Sequence, residues 1–353
     1  MKRVLSLFFA IAAFSAVSAA PRPQSGAFYW SFVKQAALPP SWAITRASCT
    51  GSVSACTTNA QYNDAAGANY TTYAANSPVF TGSGAGIFEG RTNYLFPSET
   101  PTTTISGSIP LGYYVLMCNG SGSVTSSALT GVATGLGALT CSSTYQTVQV
   151  TTAGTFTFTV SGTVNWFDFQ GPCNYANSAC GPTPHIVTTT GTSTRPSDVI
   201  KVGSAQAALL GIRNSSIVIE YYSTSSGVTN QMLILGGSVT GTYVLSPIDA
   251  NNSSKCTSAI LNVANLGTSG SNQAILTLNR VAATVNPGNY AISCNGTAST
   301  NSAGTNVPTS IAYYLGSGNT AYFCNCWVSQ IKIWPFVLPN TLLQQYSSAG
   351  AAF

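Results

Sequence analysis

The chain has 353 residues, of which 12 are Lys or Arg, seven are Asp or Glu and one is His, so 5% are charged, against about 25% in an average soluble domain. This deficit excludes a nucleic-acid binder, which needs clustered Lys and Arg against phosphate, and a Glu/Lys-rich coiled coil. A hydrophobic fraction of 44% excludes charge-driven disorder.

Residues 1–19 read as a secretory signal peptide: Lys2 and Arg3, an apolar run from Val4 to Val17, then Val17-Ser18-Ala19 as the cleavage site. That run is shorter than the ~20 residues needed to span a bilayer, so removal is expected. The mature protein is then secreted or displayed on a cell or virion surface, with no membrane span. In an exported chain, ten cysteines imply disulfides. Proximity pairs Cys49 with Cys56, Cys118 with Cys141 and Cys173 with Cys180. Cys256, Cys294, Cys324 and Cys326 remain, with three connectivities open.

Period-two alternation dominates the rest. Glu89 and Arg91 precede a Pro/Thr/Ser connector, Pro97 to Thr104, and form a buried or interfacial ion pair in our reading. Strands are expected at Thr147–Val150 and at Thr155–Val160, where Phe156, Phe158 and Val160 share one face. In Asn165–Gln170, Phe167 and Phe169 face one way, while Trp166, Asp168 and Gln170 face the other. An exposed Trp beside an acid and an amide is a saccharide platform, with Tyr113 on an adjacent strand. The competing reading packs Trp166 under a neighbouring domain and pairs Asp168 with a turn amide. A second connector, Gly181 to Pro196, carries His185, expected as a surface-loop histidine. Further strands follow at Ile217–Tyr222, Met232–Leu235, Ala274–Leu278, Tyr290–Cys294 and Trp327–Trp334. Tyr221 and Tyr222 straddle two faces, which makes Tyr222 a further ligand candidate. Asp249 and Asn251 are weak calcium candidates, although ordinary Asx turns are the preferred explanation of them; no other metal or cofactor is expected. One helix is expected, Leu342 to Tyr346, capped by Asn340 or Thr341. Many short strands with turn signals and little helix mean an all-β fold of antiparallel sandwiches.

Several motifs follow one another in an order that resembles tail-fibre and virion surface proteins of tailed bacteriophages. They are Ile44-Thr45-Arg46-Ala47-Ser48, Phe88 to Leu95, Gly112 to Leu116, Thr163 to Gln170, Thr194 to Ile200, Tyr314 to Gly318 and Ile331 to Pro339. The resemblance runs from about residue 27 to residue 348. It implies a carbohydrate-binding-module-like jelly roll over 97–194, inserted in a concanavalin A/laminin G-like sandwich. That sandwich is built from 195–353 with the β segment 20–96 packed on it. Members of that group usually lack a signal peptide and are not cysteine-rich, so this chain departs from them toward an adhesin or a virion part matured outside the cytosol.

The acids Asp64, Glu89, Glu99, Asp168, Asp198, Glu220 and Asp249 are isolated along the chain, which gives no paired carboxylates for glycoside hydrolysis. No Gly-x-Ser-x-Gly elbow accompanies His185. The expected function is therefore non-enzymatic: a lectin-like adhesin or phage receptor-binding protein recognising glycans. A self-assembling subunit of a virion, fibre or filament is the alternative, and a polysaccharide hydrolase the lesser one. Glycans and copies of the same chain are the expected partners.

Overall fold

The computed structural model describes residues 28–35, 37–45, 50–51, 56–59, 70–73, 79–81, 84–102, 107–128, 131–141, 145–173, 183, 185–203, 214–223, 234–235, 243–246, 255–260, 264–272, 278–286, 290–301, 314–315 and 325–351. The signal-peptide segment, Asp249 and Asn251, and Met232 with most of Ala274–Leu278 lie outside these residues.

Alternating apolar positions make the strands, and their apolar faces meet in two separate cores. The first belongs to a sandwich made by both ends of the chain. Its longest strand pair, Ser215–Ser223 with Cys326–Trp334, runs antiparallel, Ile217 opposite Ile333 and Ile219 opposite Ile331. Leu278–Val285, Tyr290–Cys294 and Thr297–Asn301 extend this sheet on one side, and Gly84–Ile87 and Val79–Thr81 on the other. Phe28–Ser31 pairs with Cys326–Trp334 as well. A second sheet of seven strands, from Ala43–Thr45 and Val199–Lys201 to Ala264–Asn272, completes the layer pair. Phe32, Ile87, Ile200, Ile217, Ile219, Val281, Ile292, Leu315, Ile331 and Ile333 fill the core. Fully burying one such side chain is worth about 1.5–3 kcal/mol.

The second core is the jelly roll. A three-stranded sheet (Leu139–Thr140, Ser123–Ala128, Phe156–Ser161) packs on a seven-stranded one. The order of the latter is Val132–Thr134, Tyr145–Thr152, Gly112–Gly120, Val164–Gly171, Arg91–Asn93, Ser193–Arg195, Thr50–Gly51. Phe156, Phe158, Phe167 and Phe169 interlock between the sheets, with ring centroids 5.0–6.3 Å apart and mostly edge-on, the arrangement that aromatic quadrupoles favour. Cys118 and Cys141 are bonded across this core, as proximity in the sequence indicated, with Cα atoms 4.8 Å apart. Cys173, Cys294 and Cys326 are disulfide-bonded too. The expected Cys49–Cys56 and Cys173–Cys180 pairs each include a residue outside the described ones, as does the set containing Cys324.

Arg91–Asn93 and Ser193–Arg195 lie side by side in the jelly-roll sheet, where the chain enters and leaves it. A knot of buried charge forms here. Arg91 donates to Glu89 through Nε (2.6 Å) and through a second nitrogen. Arg195 pairs with Asp198 and lies over the Phe88 ring, 5.3 Å from its centroid. The Asp198 carboxylate also accepts from the Phe88 backbone N–H (3.0 Å), and Asn325 Oδ1 accepts from that of Glu89 (2.8 Å). The ion pair expected for Glu89 and Arg91 is present and wholly buried.

A helix, Asn340–Ser347, closes the chain. Its N-terminus has no side-chain cap, contrary to the expected Asn340 or Thr341: Pro339 sits at the cap, and its carbonyl accepts from the Leu342 and Leu343 N–H groups. A short helix, Phe32–Gln35, has no periodic signature in the sequence.

Candidate functional site

The residues singled out in Asn165–Gln170 lie on strand Val164–Gly171. Phe167 and Phe169 enter the jelly-roll core, and Trp166, Asp168 and Gln170 share the opposite face. Adjacent strands continue that face. Asp168 stands opposite Met117 and Gln170 opposite Val115; Tyr145 is opposite Met117, Thr147 opposite Val115 and Gln149 opposite Tyr113. The structure thus brings Trp166, Asp168, Gln170 and Tyr113 together on one face. Tyr222 is half-buried against Phe88 and Trp327 in the other sandwich and takes no part.

The Trp166 end of this face is not open to solvent. Trp166 is 2% exposed, and Asp168 and Gln170 are fully buried. Thr183, His185 and Ile186 lie across them, and this corrects the exposed saccharide platform. Period-two spacing says which residues share a face, not what covers it. His185 is likewise no surface-loop residue. It is 1% exposed and sits in a short strand, His185–Ile186, of a three-stranded sheet with Cys56–Asn59 and Tyr70–Tyr73.

His185 is the centre of the site. Its ring stacks on Trp166, with centroids 4.7 Å apart and planes 20° from parallel. Nδ1 lies 2.7 Å from Asp168 Oδ1, and Nε2 lies 2.5 Å from Glu99 Oε1. Carboxylates only accept hydrogen bonds, so a ring facing one on each side satisfies both by carrying both protons. Burial opposes that charge, yet Asp168 and then Glu99 raise the imidazole to about 9 from its ordinary 6.5. Burial pushes the Asp168 carboxyl up, against the pull of His185, the Ile186 N–H and Gln170.

Asp168 has further donors: Asn93 Nδ2 at 2.6 Å, Gln170 Nε2 at 2.7 Å and the Ile186 backbone N–H at 3.1 Å. With His185 these make four donors to two oxygens, the full capacity of a carboxylate. Gln170 Oε1 accepts from Thr183 Oγ1 (2.5 Å), and Asn93 Nδ2 also donates to Ile186 O (2.8 Å). In this arrangement Asp168 has no capacity left for a sugar hydroxyl. Glu99 differs: its side chain is 38% exposed, and it is held beside Trp166 by a backbone bridge.

Along the next two strands of the same face, burial is less complete at four residues. Tyr113, Tyr145, Thr147 and Gln149 are half-buried, with Val115 and Met117 buried between them. Burial pushes the Tyr145 hydroxyl up, so it stays a neutral donor. This strip pairs two aromatic rings with an amide and a hydroxyl; its own side chains are uncharged, and the buried Arg91 guanidinium opposes the upward push on Tyr145.

Sequence reasoning missed Glu99, His185 and Asn93. The one available signal was chemical: a lone acid mid-strand, in a chain with a single histidine, needs a partner, and that histidine is one of few. Five of the seven acids are described, and each lies against a cation: Glu89 with Arg91, Asp198 with Arg195, Glu220 with Arg280, and Asp168 and Glu99 with His185. Among the described residues no three His, Cys, Asp or Glu side chains cluster to hold a metal ion, and no helix is long and apolar enough to cross a membrane.

No family model matches the chain, and no curated protein sequence matches it. Among solved structures, it is similar to the CBM40 domain of a Ruminococcus gnavus IT-sialidase bound to α2,3-sialyllactose. The two are 17% identical over 40% of this chain and 86% of that one, with a TM-score of 0.35. Domain 4 of an extracellular arabinanase from Geobacillus stearothermophilus, in complex with arabinotriose, is 12% identical over 48% of this chain and 81% of that one, with a TM-score of 0.36. A leech intramolecular trans-sialidase is 17% identical over 42% and 25% of the two chains, with a TM-score of 0.32. Each likeness is partial and covers less than half of this chain.

Proposed function

We propose that this is a non-catalytic surface protein that recognises glycans, and that the glycan lies on the outer face of the jelly-roll sheet along Tyr113, Tyr145, Thr147 and Gln149. The observation that carries this reading is the strip itself: two half-buried tyrosines flanked by an amide and a hydroxyl on two adjacent strands. An aromatic ring stacks on the apolar face of a sugar, and amides and hydroxyls bond its hydroxyls. The absence of charged side chains on the strip favours neutral sugars over acidic ones. A glycan array with the mature protein tests it. Neutral oligosaccharides should score, and Tyr145→Ala should remove the signal without unfolding the protein; a blank array across all classes would sink the proposal. Export and surface display belong to the same reading, in keeping with the signal-like residues 1–19 and the resemblance to virion surface proteins.

One observation favours self-assembly as a second reading. The jelly-roll sheet ends in the uncharged edge strand Val132–Thr134, with Val132 55% exposed and Leu111 60% exposed near the same end. Charged side chains normally blunt such edges. Sedimentation velocity decides it: concentration-dependent oligomers that Val132→Lys abolishes would support it, and a strict monomer at high concentration would remove it.

A further inference from the structure

The Trp166 end and the half-buried strip are parts of one face, and a piece of the chain lies over the Trp166 end. That piece belongs to the three-stranded sheet of His185–Ile186, Cys56–Asn59 and Tyr70–Tyr73, whose described strands pair only with one another. Among the described residues, its polar contacts with the jelly roll lie at Thr183, His185 and Ile186. His185 donates to Asp168 and Glu99, the Ile186 N–H donates to Asp168, and Ile186 O accepts from Asn93. Thr183 adds a bond to Gln170. Beyond Ile186 the chain is tied down differently. Thr188 N donates to Ser98 Oγ (2.9 Å), Ser98 N to Thr188 O (3.2 Å), and the Thr188 hydroxyl to Leu95 O. Thr188 is therefore a fixed end, and the polar latch lies just before it.

The contacts at that latch are a ring stack and two polar pairs. A flat ring lies parallel on an indole face at 4.7 Å. Its two polar atoms are each met by a carboxylate, in a pocket otherwise furnished with Asn93 and Gln170 amides. This resembles the aromatic platform with convergent polar groups that carbohydrate sites use, here filled from within.

We propose that His185 occupies the place of a sugar ring on Trp166, and that the small sheet carrying it is a lid over the inner half of the glycan-binding face. The inference rests on the glycan reading and adds its regulation. With the lid down, the half-buried strip alone binds. With it raised, Trp166, Asp168, Gln170 and Asn93 join the strip and lengthen the site. A protein whose full site is open in only a small fraction of molecules binds long ligands weaker by that fraction, and removing the latch restores the loss.

The test compares the full mature chain with His185→Ala, with Glu99→Gln and with the double variant His185→Ala/Trp166→Phe. Glu99→Gln keeps the buried His185–Asp168 pair and loosens only the exposed side of the latch. Two readouts are used: acrylamide quenching of tryptophan fluorescence, and titration with neutral oligosaccharides of increasing length. The expected result is that His185→Ala exposes one tryptophan to quencher, identified as Trp166 by its loss in the double variant. It also binds the longer oligosaccharides at least about tenfold more tightly, with Glu99→Gln intermediate in both. If His185→Ala or Glu99→Gln folds normally and Trp166 stays shielded in both, the lid is refuted. If Trp166 becomes exposed while affinity for every length stays that of the wild type, the occlusion claim falls and the glycan reading stands. No binding by any variant or by the wild type refutes the glycan reading, and this inference with it.

Discussion

Raising the pH should unfasten the His185 pair, and the size of the effect follows from the structure. The imidazole ionises near 6.5 in an unfolded chain and at about 9 in the folded protein. That difference corresponds to roughly 3 kcal/mol of stability. Its sign is fixed by which state holds the proton. Below pH 6.5 both folded and unfolded chains carry it, and the ion pair contributes in full. Between 6.5 and 9 the unfolded chain releases its proton while the folded one keeps it, so stability falls as pH rises. Above 9 the contribution is gone. Urea denaturation at intervals from pH 6 to 10, on the wild type and on His185→Gln, isolates this contribution, because tyrosine and lysine titrations are common to both proteins. The gap between the two should be widest at pH 6 and should shrink by roughly 3 kcal/mol by pH 10. A gap that stays constant over that range would show that His185 is not held as a buried imidazolium, and the latch geometry would lose its electrostatic basis.

Other substitutions probe the frame that holds the site. Arg91→Ala strands the Glu89 carboxylate in a fully buried position and should cost about 3–5 kcal/mol; a thermal midpoint within 1 °C of the wild type would contradict the burial of this pair. The double variant Cys118→Ser/Cys141→Ser opens a crosslink between residues 23 apart and should lose roughly 3 kcal/mol, read as a lower urea midpoint. Gly84→Ala drives a Cβ into the Val328 carbonyl oxygen at a φ of +118°. It should destabilise the larger sandwich by more than the ~1 kcal/mol typical of an ordinary substitution, while a surface control such as Gly191→Ala, with nothing within 4 Å, should not.

The fold was legible because its signal is local. Alternation in Thr155–Val160, Ile217–Tyr222 and Tyr290–Cys294 reappears as strands Phe156–Ser161, Ser215–Ser223 and Tyr290–Cys294. The partition of Trp166–Gln170 into two faces holds residue by residue. What the alternation does not encode is the third layer. A Pro/Thr-rich run such as 181–196 has turn composition, and nothing in it says that two of its residues will form a strand against Asn59 and Thr58 and seal a tryptophan. The same limit explains the polar site. Asp168, His185 and Glu99 come from three segments separated by 17 and 86 residues, and their meeting depends on tertiary packing rather than on any motif. The charge deficit takes on a sharper meaning as well. The described carboxylates are spent on buried cations, while the strip proposed to bind sugar carries no charged side chain.

The most direct test of the account is a crystal structure of the mature protein with a neutral oligosaccharide that scores on the array. The account places a sugar ring against Tyr113 or Tyr145, with Gln149 and Thr147 bonded to its hydroxyls. Density for the sugar on the larger sandwich near Tyr222, or at a turn remote from the jelly-roll sheet, would contradict it.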